Sequence, residues 1–275
     1  MATLDYVVDE SQRLQLNNEK VQVVNVNIQN NLELEIDIPG NTHGSALINV
    51  RGQGTFKLNV IANEGADWSI LMMNESDQDI EFYEDWHLKK DANIALAIGE
   101  LTNGNHTKHI HYHLLEEGST INVRGANLVQ SKLVSMVKAI HYKGNTYAQI
   151  DNYGIVLEHC EYTLDVIGQI EKAARNSKTH QTSRIMNFGD DVKTSVNPKL
   201  IIEENDVEAS HAASMGQPDP LQVYYLQSRG MDRTEALKLI SLGYLLPIVE
   251  YIEDEHIKET LRDAVIEKVG NSCLM

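Results

Sequence analysis

From Val21 to about Ala209 the chain alternates apolar and polar positions in short bursts, each closed by Gly, Asn or Asp. "TFKLNVIAN", "WSILMMN", "IALAIGEL", "STINVRGANL", "TYAQIDNYGIV" and "EYTLDVIGQI" are the clearest, and their period of two predicts strands. The turns recur: Gly65, Asp91, Gly118 and Asn145 follow one another at steps of 26, 27 and 27 residues. Each is followed by a small residue (Ala66, Ala92, Ser119, Thr146) and then by another strand. A fixed period in strand-type sequence predicts a β-solenoid, in which each coil completes the core of its neighbour. Ile70, Ile94, Ile121 and Ile150 then point inward at related levels of the stack. An antiparallel sandwich is the alternative, since its turns also recur every ~8–12 residues, but sandwiches seldom keep one period for three steps.

The pattern changes after Ser214. Asp219 and Pro220 make an N-cap and first-turn pair for a helix ended by Gly230. "DRTE", from Asp232, opens a second helix, "ALKLISLGYLL", which Pro247 bends or ends. "DEHIKETLRDAVIEKVG" is a third amphipathic helix, with Ile257, Leu261, Ala264, Val265 and Ile266 on its apolar side and Gly270 as a stop. The expected organisation is an N-terminal arm (1–20), a β-helix core (21–215) and a C-terminal helical subdomain (216–275). Helices appended to one end argue against a polymer-forming or carbohydrate-facing solenoid, which needs open coil ends.

Charge and composition narrow the function. The 275 residues include 23 basic and 40 acidic ones, a formal net charge of −17, which repels phosphate backbones. "MATLDYVVDESQ" has no apolar core of a secretory signal, and no run approaches the ~20 apolar residues of a membrane span. Cys160 and Cys273 are far apart and form no CxxC pair, the pattern of a reducing compartment. A cytoplasmic location is expected.

Candidate chemistry is sparse. In "NHTKHIHYHLL", His109, His111 and His113 alternate, so in a strand they share one face while Ile110, Tyr112 and Leu114 share the other. Alternating imidazoles bind zinc or iron where three or four ligands converge. No local carboxylate or cysteine run completes that set, although Glu116 and Glu117 follow, so a solvated strand face is the simpler reading. Cys160 is in phase with Tyr162, Leu164 and Val166, as a buried thiol acting as a small hydrophobe would be. Phosphate-binding, dinucleotide, zincin and serine-hydrolase motifs are absent, and Glu203 and Glu204, adjacent in a strand, face opposite ways. No self-contained enzyme is expected. His211 lies on one strand face with Ala209 and Ala213, an imidazole among small neighbours.

The block "NPKLIIEENDVEASHAASMG", followed by "YYLQSRGM" and "EALKLISLGYL", resembles the core family of SufB and SufD, the scaffold subunits of the SUF iron–sulfur cluster assembly system. The family carries an "SHGAT-x-G" element and a "YLxSRG" helix in this order. The likeness is strongest from about Gly168 to the C-terminus and extends over the solenoid. It implies a right-handed parallel β-helix with a C-terminal helical subdomain and no catalysis of its own. It also implies pairing through the β-helix end with a SufB-like subunit or a second copy. The helices would hold a SufC-type ABC ATPase, with Leu221, Tyr224, Tyr225, Leu226, Arg229, Leu239, Leu242 and Tyr244 as the docking residues. His211 falls on the SufD-like histidine implied to hold a transient iron–sulfur cluster at the scaffold interface. Ala212 replaces the glycine of the family element, and Val192 stands where the SufB pattern has a cysteine. The chain therefore resembles SufD more than SufB, and a partner must supply the thiolate.

Overall fold

The computed structural model describes residues 3–18, 21–252 and 254–272. Seventeen strands among them form two parallel sheets wound as one β-solenoid of about seven turns, with helices following at the C-terminus. The odd-numbered strands make the first sheet: β1 (Thr3–Val8), β3 (Val21–Ile28), β5 (His43–Gly52), β7 (Asp67–Asn74), β9 (Asn93–Glu100), β11 (Thr120–Val129), β13 (Tyr147–Val156), β15 (Lys178–Asn187) and β17 (Glu208–Gly216). The even-numbered strands make the second: β2 (Gln12–Gln15), β4 (Asn31–Ile38), β6 (Gly54–Ala62), β8 (Ile80–Leu88), β10 (His106–Leu114), β12 (Lys132–His141), β14 (Glu161–Ile170) and β16 (Lys193–Ile202). All pairings are parallel, which excludes the sandwich.

The expected period has a backbone cause. Asn41, Gly65, Asp91, Gly118, Asn145 and Asn176 all have φ between 52° and 75°, the left-handed region that Gly, Asn and Asp enter most readily. Five of these turns donate a backbone hydrogen bond to the coil above, as Gly65 N does to Lys90 O at 2.9 Å. At Gly118 an added Cβ would meet Asp91 Oδ1 at 2.0 Å, and with φ at 75° a side chain there would be strained even after that carboxylate moved. The small residue after each turn, from Ala66 to Ser177, is buried at the sheet-to-sheet bend.

The four isoleucines point inward but occupy two neighbouring columns. Ile94 pairs with Ile121, whereas Ile70 pairs with Leu96, then Val123, then Ile150, two residues further along the strands. The solenoid is also longer than expected. β1 pairs in register with β3 and β2 with β4, so strands begin at Thr3 and not at Val21.

The helices are α1 (Pro220–Ser228), α2 (Arg233–Leu245) and α3 (Glu255–Asn271), with a 3-10 turn at Leu246–Tyr251 that contains Pro247. Asp219 caps α1, and Asp232 and Glu235 form the expected capping box of α2. Gly270 does not stop α3, which runs on to Asn271. Its buried face is Ile257, Leu261, Val265 and Val269, while Ile266 is exposed. The helices do not close the end of the solenoid. They fold back along the outer face of the odd sheet, α2 against β13, the 3-10 turn against β9 and β11, and α3 against β7. This explains why "WSILMMN" and "IALAIGE" are nearly continuous apolar runs: these strands are buried on both faces. The even sheet leaves its outer face in water, and β10 and β14 alternate strictly.

Candidate functional site

Three regions carry side chains that the sequence singles out. The first is the C-terminal end of the solenoid. β16 pairs with β14 and β17 with β15, and among the described residues no strand occupies the far side of either. Every residue of β17 is exposed. In the parallel ladder His211 stands beside Gln181, which is buried on the inward face. His211 thus belongs to the inward column and meets solvent because the next coil is missing above it. Facing it from β16 are Val196, Pro198 and Leu200, half-buried for the same reason. Val192 packs at the rim of the core, and among the described residues this end contains no thiol. Cys160 lies one coil below, buried, its thiol pushed up by burial and by the Glu158 charge, as fits a core residue. Cys273 lies outside the described residues.

The second region is the surface of α1 and α2. Leu221 and Tyr224 are 75% and 70% exposed, and Tyr225, Arg229 and Leu239 are exposed too. The Arg229 guanidinium donates to the Tyr225 hydroxyl at 3.1 Å and lies over its ring. Leu221, Tyr225, Leu226 and Ile240 line a shallow apolar groove between the helices. Three of the eight expected docking residues turn inward: Leu226, Leu242 and Tyr244 are half-buried against the core. The Tyr244 ring meets Tyr153 edge-on at 6.0 Å, and burial pushes its hydroxyl up to about 12.

The third region is the histidine strand on the water-facing side of the even sheet. Tyr83, Asp85 and His87 of β8 pair in turn with His109, His111 and His113 of β10. His109 stacks on Tyr83 at 5.0 Å and His113 on His87 at 4.8 Å. The carboxylate missing from the local sequence comes from the coil below. Asp85 Oδ1 is 3.3 Å from His111 Nδ1 and 3.0 Å from His113 Nε2. Burial opposes ionisation of Asp85, but the His113 hydrogen bond and the two imidazoles outweigh it and hold the carboxyl below its ordinary range. Burial, then the neighbouring His113, pushes His87 down. His109 and His211 are not part of the convergent group.

The signal that finds Asp85 is the coil period itself, since it precedes His111 by 26 residues. A buried ionic cluster was also missed. Glu100, Lys108, His106 and Asn74 meet between the sheets, and Lys108 sits 4.7 Å from the centre of the Phe82 ring.

Comparisons with known proteins identify the family. Residues 42–244 match the family described as SUF system FeS cluster assembly, SufBD core domain. The iron–sulfur cluster assembly protein SufD of Bacillus subtilis is 29% identical over 182 residues, covering 66% of this chain and 42% of that protein. SufD of Escherichia coli is 31% identical over 105 residues, 38% of this chain and 24% of its own length. A SufBD family protein of Pyrococcus horikoshii is 28% identical over 99 residues, 36% of this chain and 22% of its own length. The chain thus spans less than half the length of each of these relatives. A family match over nearly three-quarters of the sequence, on a parallel β-solenoid followed by helices, makes this chain a member of the SufBD core family of iron–sulfur cluster assembly proteins.

Proposed function

We propose that this chain is a SufD-like scaffold subunit, without catalysis of its own, in an iron–sulfur cluster assembly complex. Its open solenoid end would pair with a SufB-like subunit or a second copy, and α1 and α2 would hold a SufC-type ATPase. The observation that carries this reading is the last coil. A strand exposed along its whole length, with an unpaired backbone edge, is a template for another chain and a liability in isolation. The inward column also reaches that edge at His211, whose imidazole is competent to bind iron and which a partner's thiolate would join. The exposed Leu221, Tyr224, Tyr225 and Arg229 supply the aromatic, aliphatic and arginine anchors typical of a protein interface. The acidic charge suits protein partners better than nucleic acid.

The fold does not by itself separate this reading from a polymer-forming solenoid, because the helices lie along the flank and leave the end open. Family membership does favour it. Co-expression with a SufB-type subunit and a SufC-type ATPase tests it. A complex of defined stoichiometry that loads iron and sulfide supports the proposal; long homopolymers with no affinity for either partner overturn it.

A further inference from the structure

We propose that Asp85, His111 and His113 form a binding site for one divalent transition-metal ion, of the zinc or ferrous class, on the outer face of the even sheet. This site lies on a different surface from the open end and does not depend on the scaffold reading. The solenoid builds it from two adjacent coils. Register sets Asp85 directly below His111, and the period of two sets His113 on the same face one step along. The three candidate ligand atoms lie within 4.8 Å of one another.

Two features fit coordination of an ion between these groups. Both imidazoles aim at the same carboxylate oxygen, at 3.3 and 3.0 Å, although Asp85 offers two. Ligand atoms about 2.1 Å from a tetrahedral ion stand about 3.4 Å apart, so two edges of the triangle are close to the required span. The second feature is support for the ring. His113 Nδ1 lies 3.2 Å from the Tyr142 hydroxyl, and its ring is stacked on His87. With a metal on Nε2, the ring proton resides on Nδ1 and is donated to the Tyr142 oxygen, which fixes tautomer and orientation. Two imidazoles and one carboxylate are the donor set of zinc and of non-haem ferrous iron, too nitrogen-rich for magnesium or calcium. The remaining positions open into a groove of about 500 Å³ that Glu33, Lys57 and Tyr83 also line. Water or a further ligand would complete the shell from there.

The test is titration of the purified full chain with Zn²⁺, with Fe²⁺ under anaerobic conditions, with Mg²⁺, and with Co²⁺ as a spectroscopic reporter. One ion per chain is expected for Zn²⁺ and for Fe²⁺, with Zn²⁺ the tighter as the general order of divalent affinities requires; Mg²⁺ should not compete. His111→Ala and His113→Ala should each weaken binding by at least tenfold and abolish the Co²⁺ visible bands. Tyr142→Phe should weaken it by about tenfold through loss of the supporting contact. His109→Ala, on the same strand but outside the convergent group, should change nothing. Circular dichroism checks that the variants keep the strand signal, which is expected because these side chains face water. Binding that survives the His111→Ala/His113→Ala double variant, or wild-type affinity no better than that variant's, overturns the proposal.

Discussion

The Lys108 ammonium sits 2.5 Å from Glu100 Oε2 in the interior of the solenoid, with both side chains 4% exposed. The pair ties β9 to β10 across the core, and His106 and Asn74 bind the other carboxylate oxygen at 2.6 and 2.7 Å. Removing one member strands a buried charge. Lys108→Met should therefore cost about 3–5 kcal/mol in denaturant unfolding, and adding Glu100→Gln should restore part of it. Equal stability of wild type and Lys108→Met would mean that water reaches the carboxylate.

The same pair gives an acid dependence. Burial disfavours the Glu100 charge, but Lys108 and then His106 hold its carboxyl down at about 2 against an ordinary 4.5. Between these values the unfolded chain binds more protons, so the contribution is complete above 4.5 and lost as pH falls towards 2. Glu100→Gln should flatten that part of the stability profile, at a lower stability throughout the neutral range.

His141 titrates in a higher window. It is fully buried, its Nδ1 is 2.7 Å from Thr146 Oγ1, and burial pushes it down to about 4 from 6.5. Its proton is taken up on unfolding, so stability should fall by up to about 3 kcal/mol as pH drops from 6.5 to 4. In His141→Gln the slope across that window should shrink. An unchanged slope would assign it to other groups.

The proposed docking surface can be separated from the packing surface. Tyr224→Asp and Leu221→Asp alter strongly exposed side chains and should abolish co-purification with a SufC-type ATPase while leaving the melting temperature within a degree or two. Leu242→Asp, half-buried against the core, should lower stability whether or not the partner is present. Retained binding by both exposed variants would remove α1 from the interface.

These contrasts mark where the sequence was legible. The solenoid period could be read because a left-handed turn restricts residue choice so strongly that Gly65, Asp91, Gly118 and Asn145 mark it unaided. β1 and β2 escaped because six and four residues carry little alternation, and "QRLQ" has one apolar position. The folding back of the helices was hidden because it depends on the outer faces of β7 and β9, whose apolar runs fit any doubly buried strand. Asp85 was missed for a geometric reason. A solenoid makes neighbours of residues one coil apart, so a search within a single strand sees only half of any site on its surface. Lys108 was hidden by its type, since alternation places it on the inward face with Ile110 but nothing local announces a buried partner at Glu100.

The open end yields two linked predictions. Glu208 N donates to Ser177 O at 3.1 Å, so by alternation the backbone of Ala209, His211 and Ala213 faces the unpaired edge of β17. Ala213→Pro should then keep the ladder to β15 but block addition of a partner strand, and gel filtration of the co-expressed scaffold pair should show dissociation. His211→Ala acts on the same edge without touching the backbone. The imidazole is exposed and shares its face with Ala209 and Ala213, so its loss should cost far less than the ~2–5 kcal/mol of a large core truncation. Pairing should survive, yet iron and sulfide loading of the complete complex should fall if His211 is the ligand proposed above, because the inward column then loses it. If His211→Ala complexes load at the wild-type rate, the ring is a bystander at the seam. If they fail to assemble at all, its role is to pack the interface and not to hold iron.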